Sequence, residues 1–180
     1  MRWMAALASV LLLAGCSAVS AEPDELVLVS VLGVDGGQEV TLTAVSEGVE
    51  NAVCRGGNFD QARESIRWSG RGAELSLTGV CYLVAGARVD LESILLAVME
   101  DAELGASAYV WVAEGAALGL LNDCEDPSED LRLLLLKGSA VPTVAQALAA
   151  VTTEGAVRIP CLGVANGRIV ERGEVVWRRE

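Results

Sequence analysis

Histidine is absent from this chain of 180 residues, and lysine occurs once, at Lys137. The missing imidazole excludes Ser-His-Asp and Cys-His nucleophilic machinery, histidine zinc sites and imidazole proton shuttles. No Gly-x-Ser-x-Gly motif occurs either, so a serine nucleophile would have only Lys137 as its base. We therefore expect a protein that is not an enzyme and that holds no cofactor.

Positive charge is scarce. Lysine and arginine together number 13 against 25 acidic residues, which gives a formal net charge of -12 at pH 7. Such a charge opposes binding to a phosphate backbone, so nucleic acid is excluded as a partner. It also opposes adsorption of the domain on an anionic lipid surface. The C-terminal end is locally basic, with Arg168, Arg172, Arg178 and Arg179.

Aromatic residues make up only 4% of the chain, although hydrophobic residues reach 52% and the mean hydropathy is +0.43. This composition is far from that of a disordered protein, and it requires a core of leucine, valine and alanine. Past the N-terminal region, the best apolar run covers residues 131–136, far short of a bilayer span. We expect one domain over residues 26–180.

The N-terminal region reads as an export signal. Arg2 supplies a positive start, residues 3–14 form an apolar stretch, and Leu13-Ala14-Gly15-Cys16 is the kind of sequence that lipoprotein-processing enzymes cleave. This pattern predicts a lipoprotein signal peptide over residues 1–15, a lipid anchor on Cys16 and a tether over residues 16–25. Two alternatives are an ordinary secretory signal cut near Ala18 or Ala21, and an uncleaved anchor.

Four further cysteines are widely spaced, and no Cys-x-x-Cys pair occurs among them: Cys54, Cys81, Cys124 and Cys161. An exported protein with four cysteines could form two disulfides. Cys81 and Cys161 lie in apolar, strand-like runs, where a buried free thiol is the more usual state. Both alternatives stay open.

The hydrophobic pattern alternates between strands and helices. Residues 26–34 are nearly all apolar and predict a strand buried on both faces, followed by an Asp35-Gly36-Gly37 turn and a return strand over residues 39–46. A loop is expected over residues 47–57. Later strands are predicted over residues 74–85, 106–113, 157–164 and 169–177, the last two joined by the hairpin signal Asn166-Gly167.

Helix signals fall between these strands. Asn58, Asp90 and Asp126 have the spacing of N-caps, Pro142 opens a further helix, and a short helix is expected over residues 116–121. The fold class is therefore predicted as α+β: a single mixed β-sheet with antiparallel hairpins at both ends, flanked by helices.

Acidic residues cluster at Glu100, Asp101 and Glu103 and again over residues 123–130. The second cluster is explained by capping of a helix N-terminus, and it lacks the spacing of a calcium loop. No metal site is expected, and both clusters are predicted to be solvated.

Tryptophan could supply contacts to a partner protein, because it is enriched in binding hot spots. Packing is the commoner role, and we expect it for most of Trp68, Trp111 and Trp177. The best interface candidate is Trp177, since it is followed by Arg178 and Arg179 at the end of the chain.

The order of motifs resembles the C-subunit family of spore germinant receptors. Glu25-Leu26 leads into an apolar strand that ends in Gly33-Val34-Asp35, and a threonine-alternating strand follows. Further along come the Gly70-Arg71 turn, the apolar-Gly end at residues 83–86, and a final stretch, residues 173–177, that is similar to the family's Gly-Ala-Val-Phe. The resemblance covers the N-terminal domain of that family.

This resemblance implies a lipoprotein on the outer face of the spore inner membrane, where it joins integral membrane subunits of the A and B types. Its role would be in nutrient-triggered germination, by assembly rather than by catalysis. The alternative from a different class is an exported lipoprotein that binds a small ligand and delivers it to a transporter.

Overall fold

A computed structural model describes residues 26–70 and 73–179 of the chain. Eight strands are assigned: β1 Leu26–Asp35, β2 Val40–Ser46, β3 Ala52–Gly56, β4 Glu74–Ser76, β5 Tyr82–Ala85, β6 Tyr109–Ala113, β7 Ala156–Ala165 and β8 Arg168–Arg178. Five α-helices connect them: α1 Phe59–Arg67, α2 Leu91–Glu100, α3 Ala117–Asn122, α4 Pro127–Leu136 and α5 Val144–Glu154. A 3-10 turn, Leu77–Gly79, separates β4 from β5.

The strands form one mixed sheet in the order β3-β2-β1-β5-β6-β7-β8, with β4 beside the start of β1. The four central strands β1, β5, β6 and β7 run parallel, whereas β1-β2-β3 and β7-β8 pair antiparallel at the two ends. The predicted α+β class, with a single mixed sheet and terminal hairpins flanked by helices, is confirmed.

Helices cover both faces of the sheet, so the apolar side chains form two clusters. The larger cluster joins one face of the strands to α1, α2 and α5. The smaller cluster joins the other face to α3 and α4, and Trp111 is its largest fully buried member. Because aromatic residues are few, most of both clusters consists of leucine, valine, isoleucine and alanine, as the composition requires.

Four helices begin where a side chain accepts a hydrogen bond from the first turn. Asn58, Asp90 and Asp126 do so for α1, α2 and α4, as their spacing predicts. The helix assigned to Pro142 begins two residues later. Its N-cap is Thr143, which forms a reciprocal capping box with Gln146.

Two strand predictions are wrong. The expected loop over residues 47–57 contains β3, a short edge strand. Its sequence does not alternate between apolar and polar residues, because the apolar Val53 lies on the exposed face. The expected strand over residues 74–85 is split in two. β4 pairs with Leu26–Leu28 and β5 pairs with residues 31–34, so the chain leaves the sheet between them at the turn Leu77–Gly79.

The predicted hairpin at Asn166-Gly167 is confirmed. Both residues have positive φ angles, 53° and 71°, which is the backbone of a type I′ turn. In contrast, β1 is not buried on both faces along its whole length. Leu26 and Leu28, near its start, are 52% and 57% exposed.

Asp35, at the end of β1, ties this strand to α3. Its two carboxylate oxygens accept hydrogen bonds from the amides of Ala117 (2.7 Å) and Leu118 (2.9 Å). Gly86 lies directly against this carboxylate, and a Cβ there would overlap Asp35 Oδ1. At Gly33 a Cβ would lie 2.6 Å from Leu121 Cδ1, so this glycine allows α3 to approach the sheet.

Replacement of Asp35 with alanine is expected to lower the free energy of unfolding by about 2 kcal/mol, because two backbone amides at the start of α3 lose their acceptor. Urea unfolding followed by circular dichroism measures the change. Asp60→Ala is the matched control, because Asp60 is an exposed acid in the first turn of α1. Equal losses in the two variants would contradict the prediction.

Candidate functional site

The predicted lipid anchor, Cys16, and its tether up to residue 25 lie outside the described residues. The first described residue is Leu26, which opens β1 ten residues after Cys16. The start of β1 is therefore the part of the described domain nearest in sequence to the expected lipid.

A groove with a volume of about 860 Å³ lies at this start of β1. Its floor comprises β1 from Leu26 to Ser30 and the end of β2, and its walls are the loop over residues 47–51 and the start of α4. Leu26, Leu28 and Val49 are among its lining residues, and each is about half exposed. A side-chain hydrogen bond of 3.0 Å from Asn51 to Asn122 ties the loop to the end of α3.

The charge along this groove has one sign. Four acidic residues line it, and none of its lining residues is a lysine or arginine: the acids are Glu47, Glu125, Asp126 and Glu129. Asp126 is used as the cap of α4, where it accepts from the Glu129 amide at 3.0 Å. A hydrogen bond from Arg132 lowers the pKa of the Glu129 carboxyl. Glu47 and Glu125 are both exposed, so the acidic edge faces solvent.

A second candidate region, apart from the groove, comprises the predicted partner residues Trp177, Arg178 and Arg179. Trp177 is partly buried and packs against the larger apolar cluster, while the two arginines are exposed. The Arg179 guanidinium pairs with Glu92 at 3.1 Å. These three residues therefore lie at the end of β8, where Trp177 and Arg179 have side-chain contacts within the domain and Arg178 pairs with Ala156 of β7.

The register places both regions at one end of the sheet. Val34 of β1 pairs with Ala85 of β5, and Ala85 is connected through Val112 of β6 to Cys161 of β7. Val34 and Cys161 therefore lie at the same position along the direction of the strands. Trp177 pairs with Val157, four residues before Cys161, so it is level with the first half of β1. The groove and the Trp177 region thus share the amino end of the parallel strands, with β5, β6 and β7 between them.

The other tryptophans divide between core and surface. Trp111 is fully buried, in agreement with a packing role, whereas Trp68 is 65% exposed at the end of α1. Trp68 lies near Arg67, whose guanidinium carbon is 6.0 Å from the ring centre.

The two acidic clusters are less solvated than predicted. Asp101 and Glu103 pair with Arg63 of α1, and Glu103 also pairs with Arg67 at 3.2 Å. These pairs hold the segment after α2 against α1.

Asp130, in the second acidic cluster, is only 3% exposed, so the prediction of a solvated face is wrong there. Its carboxylate accepts from the Ile169 amide at 2.7 Å and from the Arg168 guanidinium. Sequence reasoning assigned residues 123–130 to capping as a group, because nothing in the spacing shows that a later hairpin returns to this helix.

Among the described residues, no group of histidine, cysteine, aspartate or glutamate is arranged to hold a metal ion. None of the described helices is both long enough and apolar enough to cross a membrane. Comparison of the chain with family models, with curated proteins and with solved structures gives no match.

All four described cysteines are free thiols, so no disulfide joins any two of them: Cys54, Cys81, Cys124 and Cys161. The expectation of a buried Cys81 is wrong, since it is exposed, and Cys161 is partly buried. Burial, together with the nearby Asp130 and Asp123 carboxylates, raises the pKa of Cys124 from its ordinary 9.0 to about 11.

We expect alkylating reagents to modify Cys81 before Cys124. Since the thiolate is the nucleophile, the rise in pKa lowers the reactive fraction of Cys124 about 100-fold at pH 8. Mass spectrometry of protein treated with iodoacetamide for increasing times measures both rates. The Cys124 rate should continue to rise up to about pH 11. Similar rates for the two cysteines at pH 8 would contradict the prediction.

Proposed function

We propose that this chain is a lipid-anchored, non-enzymatic subunit of a spore germinant-receptor complex, held through Cys16 on the outer face of the spore inner membrane. It acts in nutrient-triggered germination by assembling with integral membrane subunits of the A and B types. The proposal combines the lipoprotein signal, the order of motifs that resembles the C-subunit family and the absence of histidine from the sequence.

The observation that carries the proposal is the position of the start of β1. The groove begins at Leu26, ten residues after Cys16, and a chain of ten residues spans at most about 36 Å. A lipid on Cys16 would keep the amino end of the parallel strands close to the bilayer. The groove and the region of Trp177, Arg178 and Arg179 would then lie within reach of integral subunits.

A lipid tether lowers the affinity that the interface itself must provide. A domain confined near the membrane binds a membrane-resident partner at a raised effective concentration, so a modest interface is sufficient. The net charge of -12 opposes direct adsorption on anionic lipid, which leaves the acyl chains as the attachment.

The Gly33-Val34-Asp35 motif supports the resemblance in a second way. In the structure Gly33 and Asp35 both serve the contact between β1 and α3. Two residues of this motif are therefore used together at one point of the fold.

The alternative of a small-ligand-binding lipoprotein is favoured by one observation, the groove volume of about 860 Å³, which lies within the range of small-molecule sites. With only acidic residues among its charged lining groups, the groove would suit a cationic solute. A rise in melting temperature with millimolar arginine or lysine, but not with glutamate, would support this alternative.

The test of the proposal is nutrient-triggered germination of spores that carry a clean deletion, Cys16→Ala or Cys81→Ala. We expect loss of refractility to be at least about tenfold slower in the first two strains, because the domain loses the gain in effective concentration that its anchor supplies. Cys81→Ala is the matched control, since this exposed thiol lies within the folded domain.

Immunoblots of spore membranes must show that the Cys81→Ala protein is retained in them and that the Cys16→Ala protein is made but released. Wild-type germination kinetics in the deletion strain, with the protein present in parental spores, would overturn the proposal.

A further inference from the structure

We propose that the groove at the start of β1 binds an extended segment of an integral membrane partner, which adds as a strand beside Leu26–Leu28. The segment would carry apolar side chains at alternate positions and at least one lysine or arginine. The membrane location of the partner rests on the proposed function, whereas the binding mode rests on the groove itself.

The first argument is an open strand edge. On one side, Leu26–Leu28 pair with β4. On the other side, pairing with β2 begins only at Val29, opposite Ser46, because the chain leaves β2 through a turn after that residue. Within the described part of the chain no strand lies beside Leu26–Leu28 on the β2 side. An extended segment can occupy this position by main-chain hydrogen bonding.

The second argument is apolar surface beside this edge. Leu26 and Leu28 alternate along β1 and are 52% and 57% exposed, and Val49 in the facing loop is 47% exposed. All three line the groove. A strand presents every second side chain to one face, so an added segment with alternating apolar residues would cover these side chains.

The third argument is charge. Glu47 and Glu125 are exposed and both line the groove, and none of its lining residues is basic. A segment that carries lysine or arginine is complementary to these side chains, and an anionic lipid headgroup is repelled by them. The charge therefore favours a basic protein segment over the membrane surface as the occupant.

The test uses the full chain, purified from membranes in detergent, and a fluorescent synthetic peptide with the sequence Lys-Val-Thr-Val-Thr-Val-Lys. A second peptide replaces both lysines with glutamate. We expect saturable binding of the lysine peptide, measured by fluorescence anisotropy, and at least about tenfold weaker binding of the glutamate peptide, because the walls of the groove are acidic.

Leu28→Asn should weaken binding of the lysine peptide at least about tenfold, because it removes apolar contact without changing the charge of the groove. Glu125→Lys should reduce the preference between the two peptides. Leu136→Asn and Glu154→Lys are the matched controls, since Leu136 is 69% exposed at the end of α4 and Glu154 is exposed at the end of α5, both outside the groove. Circular dichroism verifies that every variant is folded.

Absence of saturable binding to the wild-type chain, or equal losses in Leu28→Asn and Leu136→Asn, would overturn the inference. Its failure is separable from that of the proposed function. Germination that depends on Cys16 without peptide binding rejects the groove and keeps the receptor role. Peptide binding that depends on Leu28, with normal germination in the deletion strain, supports the groove and rejects the receptor role.

Discussion

The carboxylate of Asp35 is the contact on which the two-faced architecture depends. It accepts hydrogen bonds from Ala117 and Leu118, 82 and 83 residues further along the chain, and so joins the central strand β1 to the start of α3. Together with α4, α3 covers the second face of the sheet. The same contact leaves no room for a side chain at Gly86. A short helix with an alanine at its N-cap position thus obtains from a distant strand the acceptor that its own sequence does not provide.

The fold class was predictable because its main signals are local. The caps at Asn58, Asp90 and Asp126 and the Asn166-Gly167 turn each depend on a few adjacent residues, and all of them are used as expected. The errors concern strands whose identity depends on distant neighbours. β3 is a strand because it pairs with β2. The run over residues 74–85 is divided because its two halves pair with different segments of β1.

The candidate site was less accessible to sequence reasoning. The groove exists because β2 ends opposite Val29 and leaves the first residues of β1 without a neighbour on that side. Strand register is a tertiary property that no local pattern encodes. Two apolar residues of the groove, Leu26 and Leu28, were predicted as core, since exposed and buried leucines look alike in a sequence. A signal was present in the position of Leu26, ten residues from the expected lipid anchor, but it points to a location rather than to a chemistry. The interface prediction at Trp177 depends on a local pattern, an aromatic residue next to two arginines, and it stays a prediction.

The buried Asp130 has a consequence for the order in which parts of the domain become stable. Its partners, Arg168 and the Ile169 amide, lie at the turn of the last hairpin, 38 and 39 residues further along the chain. Without them, docking of α4 on the sheet would bury a carboxylate that has no partner, at a cost of a few kcal/mol. Docking of α4 on the sheet and closure of the last hairpin are therefore coupled, so the second helical layer and the C-terminal edge of the sheet are stable only together.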